Sequence, residues 1–154
     1  MIRSTLNKTR LPFIISFLIA GTVLFSGCGG GTLIPRDLKD YVSAKLPTPR
    51  RNVDVIQPFR TTILLLIERG DINKAREAER DLITKCVEYF QRDNITNFIN
   101  DTVLFKVRLA SDADTYLNYS SHYQELLSLI RDDITLDSYI ERCYKDEKWY
   151  GGEE

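Results

Sequence analysis

The segment that most constrains this chain is residues 71–92, DINKAREAERDLITKCVEYFQR. Ile72, Ala75, Ala78, Leu82, Ile83, Cys86 and Phe90 recur at three- and four-residue spacing, which places them along one side of a helix. Lys74, Glu77, Arg80 and Asp81 fill the opposite side and suit water. Asp71 stands where a carboxylate can accept from a free N–H of the first turn, so the start of the helix is marked as well. Such a stripe has to be buried against other elements.

Those elements read as further helices. Residues 35–46 form a short one, with Pro35 suited to its first turn. Residues 47–55 hold two prolines and read as an extended connector. From Pro58 the chain predicts a helix carrying Phe59, Ile63, Leu66 and Ile67 and stopping at Gly70. It is apolar almost all round from Ile63 to Ile67, the mark of a central helix. On the Gly70-Asp71 turn and Ala75, residues 63–83 resemble one helix-turn-helix unit of the tetratricopeptide type. Nothing later repeats at the expected spacing of about 34 residues, which leaves a plain antiparallel helical hairpin.

Residues 95–110 fit two templates. Ile95, Phe98, Ile99, Thr102 and Val103 suit a helix, while Val103, Phe105, Val107 and Leu109 alternate as a strand would. With no second strand evident to take up the backbone hydrogen bonds, helix is the expectation. Ser111 with Asp114 resembles a capping box ahead of a helix carrying Leu117, Tyr123, Leu127 and Ile130. Thr135 caps a last helix with Leu136, Tyr139, Ile140 and Cys143 inward, ending at Gly151-Gly152. The expected architecture is all-α, a compact bundle of about five helices over residues 35–150, with residues 151–154 as a tail.

The N-terminus is of another kind. Arg3, Lys8 and Arg10 are followed by LPFIISFLIAGTVLF, residues 11–25, and no acidic residue precedes Asp37. A basic start, a short apolar middle and small residues at the end describe a secretory signal peptide, residues 1–27. The apolar run is short for a transmembrane helix, which usually needs about 20 residues. Phe25-Ser26-Gly27-Cys28 resembles the bacterial lipobox, with Phe25 where Leu is commoner. The resemblance covers the first 30 or so residues. It implies lipidation of Cys28 by diacylglycerol and a fatty acid such as palmitate, and cleavage just before that residue. Two or three acyl chains hold a protein firmly, at about 0.8 kcal/mol per buried methylene. Residues 28–34, with three glycines, then serve as a tether. Gly29, where aspartate would retain the protein in the inner membrane, implies an outer-membrane lipoprotein facing the periplasm.

Removing residues 1–27 leaves 127 of the 154 residues, one ordinary domain. With Arg3, Lys8 and Arg10 gone, 18 basic residues face 22 acidic ones, and the net charge moves from −1 to −4. An acidic body without a basic block excludes nonspecific nucleic-acid binding. Cys86 and Cys143 remain as an even pair in an oxidising compartment and are the disulfide candidate, the alternative being two buried free thiols that act as small hydrophobes. Closing that loop of 57 residues is worth roughly 4 kcal/mol of chain entropy.

Motifs for chemistry are missing. His122 is the one histidine and has no convergent ligands for a metal. Its neighbouring serines lack a nucleophile elbow. Asp112, Asp114, Asp132 and Asp133 lack the EF-hand spacing and read as caps and turns. The sequence therefore predicts no enzyme, no cofactor and no metal site. What remains is aromatic: Tyr116, Tyr119 and Tyr123 on one expected helix face, then Tyr139, Tyr144, Trp149 and Tyr150. Tyr and Trp suit protein interfaces, so Tyr116, Tyr119, Tyr123, Trp149 and Tyr150 are the candidate partner-binding residues. In size, anchor and helix content the chain is broadly similar to pilotins and other accessory lipoproteins of secretion, pilus or conjugation machines. That similarity implies a binding role on a larger envelope assembly. The alternative is a neutralising lipoprotein, an immunity or exclusion factor against a toxin or transfer apparatus.

Overall fold

The run TTILLLI forms a strand, and the rest of the architecture follows from that. The structure is a computed structural model and describes residue 34 and residues 37–46, 48–57, 60–96 and 100–150. The signal peptide, Cys28, the tether apart from Ile34, and the 151–154 tail lie outside the described residues. Within them the order is α1 (Asp37–Lys45), a 3₁₀ turn (Arg50–Asn52), β1 (Val53–Ile56), β2 (Thr61–Ile67), α2 (Ile72–Arg92), β3 (Thr102–Leu109), β4 (Tyr116–His122), α3 (Tyr123–Ile130), α4 (Leu136–Arg142) and β5 (Tyr144–Lys148).

The strands make one mixed sheet in chain order, β1-β2-β3-β4-β5. β2 pairs antiparallel with β1 and parallel with β3. A parallel pair needs a crossover, and α2 supplies it. Asp71 starts that helix as expected, its Oδ1 accepting from Lys74 N at 2.8 Å. β3 and β4 form a hairpin whose turn is tied by Asp112: Oδ1 accepts from Asp114 N at 2.9 Å and Oδ2 from Thr115 Oγ1 at 2.6 Å. This is an Asx-type turn, so the capping box expected at Ser111 does not form. Thr135 does cap α4, with Oγ1 accepting from Ser138 N at 3.2 Å. The chain then leaves the helix at Cys143 and returns as β5, antiparallel to β4.

All four described helices cover one face. Leu38 and Val42 of α1, Leu82, Ile83 and Phe90 of α2, Leu126 and Leu129 of α3, and Tyr139 of α4 form one core with Ile63, Leu65, Val103, Phe105, Val107, Leu117 and Tyr119 of the sheet. The α2 stripe thus lies inward as the sequence predicts.

The all-α bundle is overturned. The central helix expected over residues 58–70 is β2, and the helix expected over 95–110 becomes β3. The front of the next helix is β4, and the back of the last one is β5. The tetratricopeptide-like hairpin is a strand, a turn and a helix. A short apolar run without alternation fits a buried strand as well as a buried helix, and β2 has strands on both sides to satisfy its backbone. The helix content that underlay the similarity to pilotins goes with the bundle.

Candidate interaction face

In a pleated sheet alternate side chains point to opposite faces, so the face away from the helices can be read from the register. One cross-strand row is Ile56, Thr62, Leu104, Ser120 and Tyr144; the next is Asp54, Leu64, Lys106, Asn118 and Asp146; the third is Leu66, Arg108, Tyr116 and Lys148. The helical core packs on the other face; this one is reached from the helices only near its β1–β2 edge, where Lys39 Nζ lies 3.4 Å from Asp54 Oδ1 and Leu66 shares a cleft with Ala78. The large hydrophobics that stand well out in water are Ile56 at 50%, Tyr144 at 74% and Tyr150 at 67% exposure. Ile56 and Tyr144 sit at the two ends of one row. Tyr150 lies two residues beyond Lys148, whose Nζ is 5.3 Å from its ring centroid.

The face is divided. Ile56, Leu64, Leu66 and Leu104 make its β1–β3 side apolar, while Lys106, Arg108, Tyr116, Asn118, Asp146 and Lys148 make the other side polar. Lys106 Nζ lies 4.6 Å from the Tyr116 ring centroid, a cation–π distance. The Tyr116 hydroxyl donates to Asp146 Oδ2 at 3.2 Å, and Asn118 Nδ2 donates to the same oxygen at 3.3 Å. Burial, and then the like charge of Arg108, hold the Lys106 ammonium below its usual pKa, with Asp146 opposing. Arg108 Nε and Asn118 Oδ1 are buried and have no hydrogen-bond partner.

The five aromatic residues expected to bind a partner part company. Because residues 116–122 are a strand, Tyr116 and Tyr119 point to opposite faces. Tyr116 and Tyr150 belong to the outer surface. Tyr119 is buried, and its hydroxyl donates to Glu147 Oε1 at 3.0 Å. Burial first, and that hydrogen bond second, push it up to about 12. Tyr123 packs against the core. Trp149 is half-buried, with Nε1 donating to Gly70 O at 3.3 Å. Ile56 escaped the sequence reading, because the end of a strand, unlike a helix stripe, leaves a lone apolar residue with no periodic signature.

Below the sheet lies a second polar cluster. Glu79 of α2 is fully buried and neither carboxyl oxygen has a hydrogen-bond partner. Its pKa rises to about 9, chiefly through burial and then through the negative charge of Glu147; the Tyr119 backbone and Lys145 only partly offset this. Glu147 is itself held by Arg76 Nη2 at 2.7 Å, and its carboxyl lies below the usual range for that reason. Glu79 was also missed from the sequence. Its signal was there: it sits four residues from both Ala75 and Ile83, inside the apolar stripe.

Cys86 and Cys143 are free thiols, both buried, where the sequence led us to expect a bridge. Burial pushes the Cys86 thiol up. Burial takes Cys143 to about 11, with a hydrogen bond from Tyr139 opposing. The Tyr139 hydroxyl, 2.7 Å from Ser121 Oγ, lies close enough to both thiols to sense them. A cleft of about 410 Å³ opens where β2 runs past the start of β1, lined by Leu46, Pro49, Leu65, Ile67 and Ala78 with Glu68 and Asp81 at hand. Among the described residues, no group of three or more His, Cys, Asp or Glu is placed to hold a metal ion, and no helix is long and apolar enough to cross a membrane.

Neither a protein-family model, nor a curated protein, nor a solved structure matches this chain.

Proposed function

We propose that this chain is a lipid-anchored binding protein of the bacterial cell envelope, which docks a larger membrane-associated assembly on the outer face of its sheet. The anchor rests on the lipobox resemblance at Cys28. The docking role rests on one observation: Ile56 and Tyr144, two of the large apolar side chains that stand out in water, lie at the two edges of the sheet face away from the helical core, with half-buried Leu64 and Leu66 on the same face. Apolar groups along one face with polar residues beside them favour an interface. The sheet edges suit a face-on contact, since β1 is only four residues long and β5 reads YKDEK; short and charged edges resist strand addition.

The test places a photo-crosslinking amino acid at Tyr144, and separately at Arg80 on the helical side, in cells making the anchored protein. A stoichiometric adduct with a subunit of an envelope machine from Tyr144, and none from Arg80, is the expected result. Cys28→Ala should abolish both anchoring and the adduct. An adduct of equal yield from the two positions would remove the outer face as the docking site. A toxin or a transfer-apparatus component in the adduct would move the reading to neutralisation.

A further inference from the structure

We infer that the polar side of the outer face is an anion receiver, built to take a carboxylate from an acidic amphipathic segment of the protein partner. This deepens the docking role proposed above and rests on it. Lys106 and Arg108 are two residues apart on β3 and lie on the same face, so their Cα atoms are roughly 7 Å apart. Neither makes an ion pair among the described residues. Arg108 is half-buried, and its Nε is shut off from water with nothing to donate to. An approaching carboxylate therefore meets the Nη end of the guanidinium, whose donors and full charge suit it.

The surroundings agree. The Tyr116 ring holds Lys106 beside Arg108, and Asp146, the acid in the Lys106 row, is already engaged by Tyr116 and Asn118. Two cations with no ion pair among the described residues, in a body of net charge −4 after processing, make this face a local exception, complementary to negative charge. The adjoining half-buried Leu64 and Leu66 call for an apolar stripe beside the carboxylates. A helix with Leu on one side and Glu along its flank satisfies both halves. An anionic membrane would meet the cations too, but it offers no apolar stripe to match the leucines, and added phosphatidylglycerol tells the two apart.

The experiment titrates the full chain, in vesicles of phosphatidylcholine, with a labelled helical peptide of Leu and Glu and with its Glu→Gln counterpart. Anisotropy should show the Glu peptide bound at least about tenfold more tightly, with that preference lost in Arg108→Gln and reduced in Lys106→Gln. Ile56→Ser should weaken both peptides alike. Equal affinity for the two peptides, or an Arg108→Gln protein that keeps the preference, would overturn the proposal. So would displacement of the Glu peptide when phosphatidylglycerol is added, because the receiver would then belong to lipid. The crosslink from Tyr144 separates the two levels. If it forms undiminished in Arg108→Gln, docking stands and the anion receiver falls; if it fails in the wild type, docking itself falls.

Discussion

Replacing Glu79 by Gln should stabilise the fold, by an amount that grows with pH. Glu79 is fully buried, lacks a hydrogen-bond partner and faces Glu147, so the folded protein keeps it protonated up to about pH 9, against 4.5 ordinarily. Between those values the unfolded chain has released a proton that the folded chain still holds. Stability therefore falls as pH rises through this window, by about 1.4 kcal/mol per unit. Below it both states carry the proton and nothing is lost. The amide has nothing to titrate. From about pH 5 to about pH 8 the difference between Glu79→Gln and wild type should widen by roughly 3–4 kcal/mol on this linkage. An amide donor left unsatisfied adds an offset of about 1–3 kcal/mol against the variant, but the offset is the same at every pH, so the slope is the readout. Urea unfolding followed by circular dichroism at a series of pH values yields both free energies. Two parallel stability curves would refute the reasoning: they would mean that Glu79 ionises in the folded protein near its ordinary value, beside water or a cation.

Other perturbations follow from the packing. Phe105→Ala empties a fully buried site at the centre of the sheet and should cost about 3–5 kcal/mol in the same urea assay; a loss below about 1 kcal/mol would contradict the packing of the core. Asp71→Ala removes the acceptor for Lys74 N and should cost about 1 kcal/mol, recovered by Asp71→Ser. Arg76→Ala breaks a partly exposed tie to Glu147; global stability should change by less than about 1 kcal/mol, while amide exchange in β5 accelerates. Cys86 and Cys143 should resist alkylation in the folded protein and react on unfolding without reductant, which mass spectrometry reads directly; protection that persists in denaturant would indicate a bridge.

Much of the helical layer was legible in the sequence because helices announce themselves twice, by a stripe and by a cap. Residues 71–92 carry both, as the Asp71 cap and the buried Ala75, Leu82, Ile83, Cys86 and Phe90 show. Thr135 likewise marks α4. The sheet was hidden by one ambiguous run. Ile63 to Ile67 is apolar at every position, since β2 packs on the core with one face and lies among Leu104 and the other outer residues with the other. Once read as helix, it removed the only evident partner for β3, whose alternation at Val103, Phe105 and Val107 was plain. The requirement that a strand must pair was sound; the partner had been misread. β5 shows no apolar pattern because it is an edge strand of charged residues. The candidate site suffered accordingly. Tyr116 and Tyr150 were found as aromatics, but Lys106 and Arg108 gain meaning only from the pleat that sets them side by side.

The sheet order has a consequence for how the molecule assembles. Each strand lies beside its neighbour in the chain: the β1–β2 and β3–β4 pairings close short loops, while β2–β3 and β4–β5 are joined through helices. Low sequence separation speeds folding and suits a polypeptide delivered N-terminus first. β1 and β2 can pair, α2 can fold over them, and the β3–β4 hairpin can dock before the chain is complete. β5 comes last, carrying Glu147 and Lys145 to the place where Glu79 lies. A chain without β5 would leave Glu79 without the negative charge of Glu147 beside it, so the closing strand adds to the cost of ionising that buried carboxyl.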